Sequence, residues 1–334
     1  MIYDLRFMNT EYEELKRQFE GKIKESEPLA PYTTYKVGGP ADLFFNAHTS
    51  DEFVQIITTA RKLGIPHFVL GGGSNILVAD KGFRGLVVKN NSSGIFIKGM
   101  KGKVQGGKKE SLVYVEADSG VPMNKLVRFT IEEGLAGLEM HLGLPGSVGG
   151  ALYMNSKWTR PAGFVGDAVH QATLLKSDNT LVNVKKEYFQ FSYGTSRLQK
   201  TDEIVVSVVF ELKKADKDQL WARANESIAY RRETQPQGVH TAGCVFKNIS
   251  TGDAMNFVTP DHATSAGYLL DKAGCKDMKI GGAEVSPVHA NFIITHPGAT
   301  ASDVVELIDT MKKSVQKKFG VGLKEEIQRV GEFV

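Results

Sequence analysis

The sequence predicts a mixed helix-and-sheet protein of two or three domains, on the strength of its bulk composition, its alternating periodicities and two glycine-rich turns. Its 334 residues are 41% hydrophobic and 24% charged, an ordinary globular balance on a chain too long for one modest core. Amphipathic helical patterns alternate with short β-type runs. The turns are Gly71-Gly72-Gly73-Ser74-Asn75 and Gly143-Leu144-Pro145-Gly146-Ser147-Val148-Gly149-Gly150.

The elements follow in order. Residues 10–26 are rich in Glu and Lys, with Leu15, Phe19 and Ile23 at four-residue spacing, and predict a short amphipathic helix serving as a peripheral extension. Ser50 is the expected N-cap of a helix that buries Phe53, Ile56, Ile57, Ala60 and Leu63 and stops at Gly64. Pro66 and a strand from His67 to Leu70 deliver the chain into the first glycine turn, and Ile76-Leu77-Val78 leaves it as a strand. Between Gly85 and Glu116 the expectation is short β runs, Leu86 to Lys89 and Leu112 to Val115. The stretch from Lys98 to Lys109 between them reads as a solvated, mobile hairpin. A helix from about Pro122 to Glu133 closes at Gly134. The second turn precedes Ala151 to Asn155, an irregular loop covers Trp158 to Gly166, and further strands run to about Leu212. Charged residues from Lys213 to Gln219 and a helix with Trp221, Ala224, Ile228 and Tyr230 mark a domain boundary. The last strong helix runs from Ser302 to Phe319, with Asp303 in its first turn, Lys317 and Lys318 in its last, and Gly320 as its stop.

Glycine lets backbone N–H groups crowd around an anion, so two such turns can hold both halves of a pyrophosphate, as in a dinucleotide. Plain tight turns between strands are the alternative. The usual doubly wound nicotinamide site is excluded, because Ile76-Leu77-Val78 stands where that fingerprint needs a third glycine opening a helix. A formal charge of +3 gives no reason to expect nucleic acid. The two cysteines, Cys244 and Cys275, offer neither a disulfide grid nor a metal-ligand spacing, which fits a reducing cytoplasm. The acidic N-terminus (Asp4, Glu11, Glu13, Glu14) and the lack of any long apolar run argue against secretion and membrane insertion.

An ordered series of blocks then points to a family. These are Tyr32-Thr33-Thr34-Tyr35-Lys36-Val37-Gly38-Gly39, Gly71 to Asn75, Gly143 to Asn155, Ala242-Gly243-Cys244-Val245-Phe246-Lys247-Asn248, Gly281-Gly282-Ala283-Glu284-Val285-Ser286 and Lys318-Phe319-Gly320 with Leu323 and Glu326. From about residue 28 to its end the chain resembles the UDP-N-acetylenolpyruvoylglucosamine reductases, flavoproteins of bacterial cell-wall synthesis, in their shorter variety without an inserted tyrosine loop. The resemblance implies an α+β fold: a two-lobed FAD-binding domain of the vanillyl-alcohol-oxidase type plus a C-terminal α/β substrate-binding domain. The expected layout is a helical extension (1–27), FAD-binding lobes (28–95 and 96–212), a substrate domain (213–318) and a final segment (319–334) returning to the flavin lobes. It further implies non-covalent FAD, NADPH as reductant, UDP-N-acetylglucosamine enolpyruvate as substrate and a cytoplasmic monomer that serves peptidoglycan synthesis, cell shape and division.

Reducing the enolpyruvyl double bond takes a hydride to the terminal carbon and a proton to the carbon bearing the carboxylate, and negative charge spreads into that carboxylate on the way. By resemblance Cys244 is the proton donor, in a place usually held by serine; a thiol gives up a proton more readily than an alcohol. Glu326 is the acid near the enol, favoured over Glu325 by the Leu-x-x-Glu-Ile spacing. Tyr193, Lys247, Asn248 and His289 are expected at the substrate, although a hydrogen-bonded core histidine describes His289 equally well. Flavin contacts are expected from Tyr35, Gly71, Gly72, Gly73, Ser74, Asn75, Gly143, Pro145, Gly146, Ser147, Gly149, Gly150 and Asn155. The main departure lies in Phe191-Ser192-Tyr193-Gly194-Thr195-Ser196, where the family places an arginine after the tyrosine and this chain has Gly194. Losing one such donor costs about 3 kcal/mol of transition-state stabilisation, so another group must substitute. Arg197 is the first choice, with Lys157 and Arg160 as alternatives from the altered loop Ser156 to Gly166. Two other readings are an FAD oxidase or dehydrogenase of the same wider fold acting on a sugar alcohol or hydroxy acid, and a non-catalytic UDP-sugar binder.

Overall fold

Val113, Val115 and Ala117 are buried while Tyr114 and Glu116 between them are only half-buried, the period-two pattern of a strand with one face on a core. That strand, Lys108–Asp118, lies inside an antiparallel sheet ordered Leu181–Lys185, Val169–Leu175, Ile204–Lys214, Lys108–Asp118, Ile95–Gln105. The computed structural model describes residues 5–105, 108–160, 162–257 and 259–333. It divides into two units: Met1–Lys24, Leu43–Gly72 and Gly85–Arg231 in the first, Glu25–Asp42, Gly73–Arg84 and Arg232–Val334 in the second.

In the first unit, helix Met123–Glu132 puts Leu126, Val127 and Ile131 into the same core as Val113, Val115 and Phe210 of the sheet. Leu220 and Ala224 of helix Lys217–Thr234 join that core. A second apolar cluster collects Phe53, Ile56, Ile57 and Ala60 of helix Ser50–Lys62 around Phe45, Leu86 and Val88. Strand His67–Leu70 runs parallel to Phe83–Asn90. In the second unit, helix Ala301–Phe319 lays Val304, Leu307, Ile308, Met311 and Val315 against a core that includes Val245, Phe246, Val285 and Ile293. Asp80 closes that helix's N-terminus, accepting from Ala301 N at 2.7 Å and Ser302 N at 2.9 Å.

Several expectations give way. The first helix is Leu5–Gln18, and Ile23 opens a strand, Ile23–Pro28, because Gly21 (φ +73°) breaks the helical run. It is not peripheral either: Leu15 is fully buried, and Phe19 meets Phe45 edge-on at 5.4 Å. Thr49 rather than Ser50 caps the next helix, its Oγ1 accepting from Glu52 N, since the Ser50 hydroxyl donates to Asp118. The hairpin expected of the basic Gly/Lys stretch is present as an antiparallel ladder, Met100 opposite Val113 and Gly102 opposite Ser111. Gly106 and Gly107 lie outside the described residues, as does Asp4. The loop after Asn155 is a small hairpin, Lys157–Thr159 paired with Ala162–Phe164, with Pro161 outside the described residues. The remaining helix limits agree, Gly64, Gly134 and Gly320 following their helices at positive φ.

The burial of Leu15 carries an expected outcome. Leu15→Ala should lower unfolding stability by about 2–5 kcal/mol, read from urea denaturation. A change below about 0.5 kcal/mol would show that the helix is a dispensable attachment.

Candidate active site

The two glycine turns meet in the first unit. A Cβ on Gly72 would stand 2.4 Å from Cα of Gly146, and one on Gly71 would stand 2.5 Å from Oγ of Ser147. No Cβ fits at Gly72, where backbone lies directly against backbone, and Gly71 lies against the Ser147 hydroxyl. Gly146 also has φ +109°, a conformation that L-residues rarely adopt. Ser147 caps the short helix Val148–Met154, its Oγ accepting from Gly150 N at 3.4 Å. Met123 N donates to Gly146 O at 3.0 Å, Val148 N to Val121 O at 2.9 Å and Gly149 N to Ser119 O at 2.8 Å, so residues 119–123 brace the second turn. Lys89 braces the first, donating from Nζ to Gly71 O, and burial holds its pKa below the usual lysine range. A glycine-lined cradle with the Ser147 hydroxyl in it and a lysine beside it suits the diphosphate of a dinucleotide.

The chain enters the second turn through Glu139–His141, a 3₁₀ turn. His141 is buried and its Nδ1 has no hydrogen-bond partner among the described residues. Burial, and then the charge of Arg231, pushes its pKa down to about 4. Arg231 lies 4.5 Å over the Trp158 ring, and a Cβ on Gly143 would come within 3.1 Å of Arg231 Cδ. Trp158, on the small hairpin, also meets Tyr230 edge-on at 5.9 Å. Asn155 ends the helix at φ 43°, and its amide donates to Ser192 O at 3.0 Å and accepts from Gly166 N at 3.1 Å. Tyr193 is exposed, and Lys157 Nζ lies 5.0 Å from its ring centre. Arg197 is turned to Glu203, Nε to Oε2 3.4 Å, and over the Tyr188 ring at 4.7 Å.

In the second unit Cys244 to Asn248 runs beside the chain end. Glu326 N donates to Val245 O at 2.7 Å, Lys247 N to Lys324 O at 2.9 Å, and Phe246 is bridged antiparallel to Glu325. Cys244 and Glu326 therefore stand on neighbouring segments. Glu325 is spent on Lys312 and Arg329; burial alone would raise its pKa, but these bonds hold it below the usual carboxylate range. Tyr35 is wholly buried, its hydroxyl has no hydrogen-bond partner among the described residues, and burial followed by the charges of Cys244 and Glu325 pushes its pKa up. Gly73 is clamped by Tyr32 and Thr34, whose N donates to Gly73 O at 3.0 Å, while Ser74 is half-buried within the same turn. Asn75 Nδ2 reaches Glu326 O at 3.1 Å, and strand Ile76–Val78 runs parallel to Gln328–Val330. Asn248 Oδ1 accepts from Ala266 N at 3.1 Å. His289 accepts from Asn291 N at 3.1 Å, sits 4.9 Å from the Phe292 ring, and has its pKa lowered chiefly by burial. Pairing of Cys244–Asn248 with the chain end was invisible in the sequence, because those segments are far apart along it.

Comparison with known proteins identifies two family models. The family model described as FAD binding domain matches residues 41–185, and that described as UDP-N-acetylenolpyruvoylglucosamine reductase, C-terminal domain, matches residues 235–330. The UDP-N-acetylenolpyruvoylglucosamine reductase of Anoxybacillus flavithermus is 38% identical over 96% of this chain and 98% of its own length. The chain belongs to the UDP-N-acetylenolpyruvoylglucosamine reductase family. The reductase of Halalkalibacterium halodurans, 37% identical over 96% of this chain and 98% of its own, agrees. The crystal structure of the Thermus caldophilus reductase superposes with a TM-score of 0.72 at 30% identity, covering 92% of this chain and 98% of that one. The α+β reading, with an FAD-binding domain ahead of a reductase C-terminal domain, holds, and the protein is an FAD-dependent oxidoreductase. Among the described residues no helix is long and apolar enough to cross a membrane, and no His, Cys, Asp and Glu cluster could hold a metal ion.

Two outcomes are expected. Gly72→Ala should weaken FAD binding at least about tenfold in a flavin-fluorescence titration, because its methyl group forces the turns apart; wild-type affinity would show that the flavin does not use this contact. His141 resists protonation in the native state and accepts a proton below pH about 6.5 when unfolded, so it should remove stability as pH falls from 6.5 towards 4, by roughly 3 kcal/mol. Urea denaturation between pH 7 and pH 4 should show a shallower loss for His141→Gln, whereas parallel curves would exclude that role.

Proposed function

We propose that this chain catalyses NADPH-dependent, FAD-mediated reduction of UDP-N-acetylglucosamine enolpyruvate to UDP-N-acetylmuramate, as a monomer in the cytoplasm. The observation that supports this most is the pairing of Cys244–Asn248 with Lys324–Glu326, which sets a thiol and a carboxyl on adjacent segments in a member of this reductase family. FAD, when bound, takes hydride from NADPH and supplies it to the enolpyruvyl double bond. The glycine-rich turns at Gly71, Gly72, Gly143, Pro145, Gly146, Ser147, Gly149 and Gly150 hold its diphosphate, and the resemblance assigns Tyr35, Gly73, Ser74, Asn75 and Asn155 to it as well.

Cys244 gives its Sγ proton to the carbon that bears the carboxylate. Glu326, next to it through the Val245 O to Glu326 N bond, donates a hydrogen bond to the charge that builds on the enol. Glu325, on its ion pairs, is left to structure. The resemblance assigns Lys247, Asn248, Tyr193 and His289 to the substrate; Asn291, whose N donates to His289 Nδ1, bonds the backbone of Val245 and Phe246. By the resemblance a helical extension covers residues 1–27, flavin lobes 28–95 and 96–212, a substrate domain 213–318 and a final segment 319–334, whereas the structure groups 25–42 and 73–84 with the second unit and 213–231 with the first.

Cys244→Ala separates the half-reactions. Anaerobic stopped-flow should show NADPH bleaching the flavin at close to the wild-type rate, with reoxidation by the enolpyruvyl compound slowed at least about 100-fold. Equal loss in both half-reactions would contradict the proton-donor role.

A further inference from the structure

We propose that Tyr35 is a positioning residue for the proton donor, its hydroxyl donating a hydrogen bond to the Cys244 thiolate that forms when the thiol proton leaves. The inference rests on the reductase reading above, in which Cys244 Sγ gives up that proton. Tyr35, Cys244 and the residues that hold them all lie in the second unit. Tyr35 is wholly buried, and its hydroxyl has no hydrogen-bond partner among the described residues. A buried donor left unpaired is costly, so one kept in a folded chain calls for a use.

The backbone commits both side chains to one segment. Thr295 Oγ1 donates to Tyr35 O, and the next residue, Lys36, stands at φ 57°, a conformation that L-residues rarely adopt. Residues 240–245 run antiparallel to 291–295, with Thr295 N donating to His240 O at 3.0 Å, Cys244 bridged to Phe292, and Val245 N donating to Asn291 O at 2.8 Å. Tyr35 and Cys244 are thus anchored at Thr295 and Phe292 of the same segment, about 10 Å apart at about 3.3 Å per residue.

Two ionisable groups act on the hydroxyl, Cys244 first and Glu325 second. Glu325 has both oxygens engaged, Oε1 by Lys312 at 2.5 Å and Arg329 at 2.8 Å, Oε2 by Arg329 at 2.9 Å, which leaves the sulfur. A thiol sulfur is a weak acceptor, whereas a hydrogen bond to an ionised acceptor is short and strong. The hydroxyl is therefore idle while Cys244 is protonated and is engaged as the S–H bond breaks, so its contribution falls on the charge that builds in the transition state. The S–H proton goes to the substrate carbon, its electron pair stays on sulfur, and the phenol, kept protonated by burial, retains its own proton.

Tyr35→Phe removes only the hydroxyl and keeps the ring in its core with Val37, Ala242 and Val245. Alkylation of the FAD-loaded, oxidised protein by iodoacetamide over a range of pH, followed at Cys244 by peptide mass spectrometry, reads the thiolate; Cys275, buried and with its pKa raised by burial, is the internal reference. The midpoint at Cys244 should move up by at least about half a pH unit in Tyr35→Phe, and stopped-flow reoxidation by the enolpyruvyl compound should slow about tenfold. Glu325, Glu326, Lys312 and Arg329 are unchanged in that variant, so the shift reports the hydroxyl. An unmoved midpoint would overturn the proposal; if it came with a loss of stability in urea, the hydroxyl would belong to a buried water instead. A moved midpoint with unslowed reoxidation would overturn it as well. A moved midpoint in a protein whose wild type is never reoxidised by the enolpyruvyl compound would defeat the reductase reading while the bond between Tyr35 and Cys244 stood.

Discussion

Backbone contact between two glycine turns is the constraint on which the flavin-binding part of this chain depends. Strand His67–Leu70 must end where it does for Gly71 and Gly72 to reach Gly146 and Ser147, and residues 119–123 must brace the second turn from its far side. The apolar clusters around Phe45 and Phe210 fix the elements that carry these turns. Packing at crystal-like density lets such clusters hold a contact in which a single methyl group does not fit.

A second constraint governs the thiol. Asn291 bonds both backbone groups of Phe246, at 2.9 Å through Oδ1 and 2.8 Å through Nδ2, and its own carbonyl accepts from Val245 N at 2.8 Å. One buried amide therefore fixes the strand that follows Cys244, and the other edge of that strand is left to Lys324–Glu326. Buried polar groups are costly unless fully paired, and here the pairing sets the register in which Cys244 and Glu326 are held.

Much of the scaffold was legible because its signals are local. Gly64, Gly134 and Gly320 end helices by a backbone conformation that needs no tertiary partner, and His67–Leu70 announces itself by its apolar run. The hairpin around Lys98 to Lys109 was legible, but the full length of strand Ile95–Gln105 was not, because Phe96, Ile97 and Met100 are exposed and no buried face writes its alternation into it. Choosing between Thr49 and Ser50 as cap needed Asp118, which is distant in sequence. The family blocks pointed to Cys244 and Glu326 as a pair, but their adjacency, the engagement of Arg197 with Glu203 and the placement of Lys157 on Tyr193 are tertiary facts. Such facts leave no periodic trace.

The most direct measurement is NADPH consumption at 340 nm by the FAD-loaded protein, made anaerobically with and without UDP-N-acetylglucosamine enolpyruvate, with the product identified by mass spectrometry. The account predicts consumption that requires the enolpyruvyl compound and yields one UDP-N-acetylmuramate per NADPH. Flavin that NADPH reduces but the enolpyruvyl compound never reoxidises would contradict it.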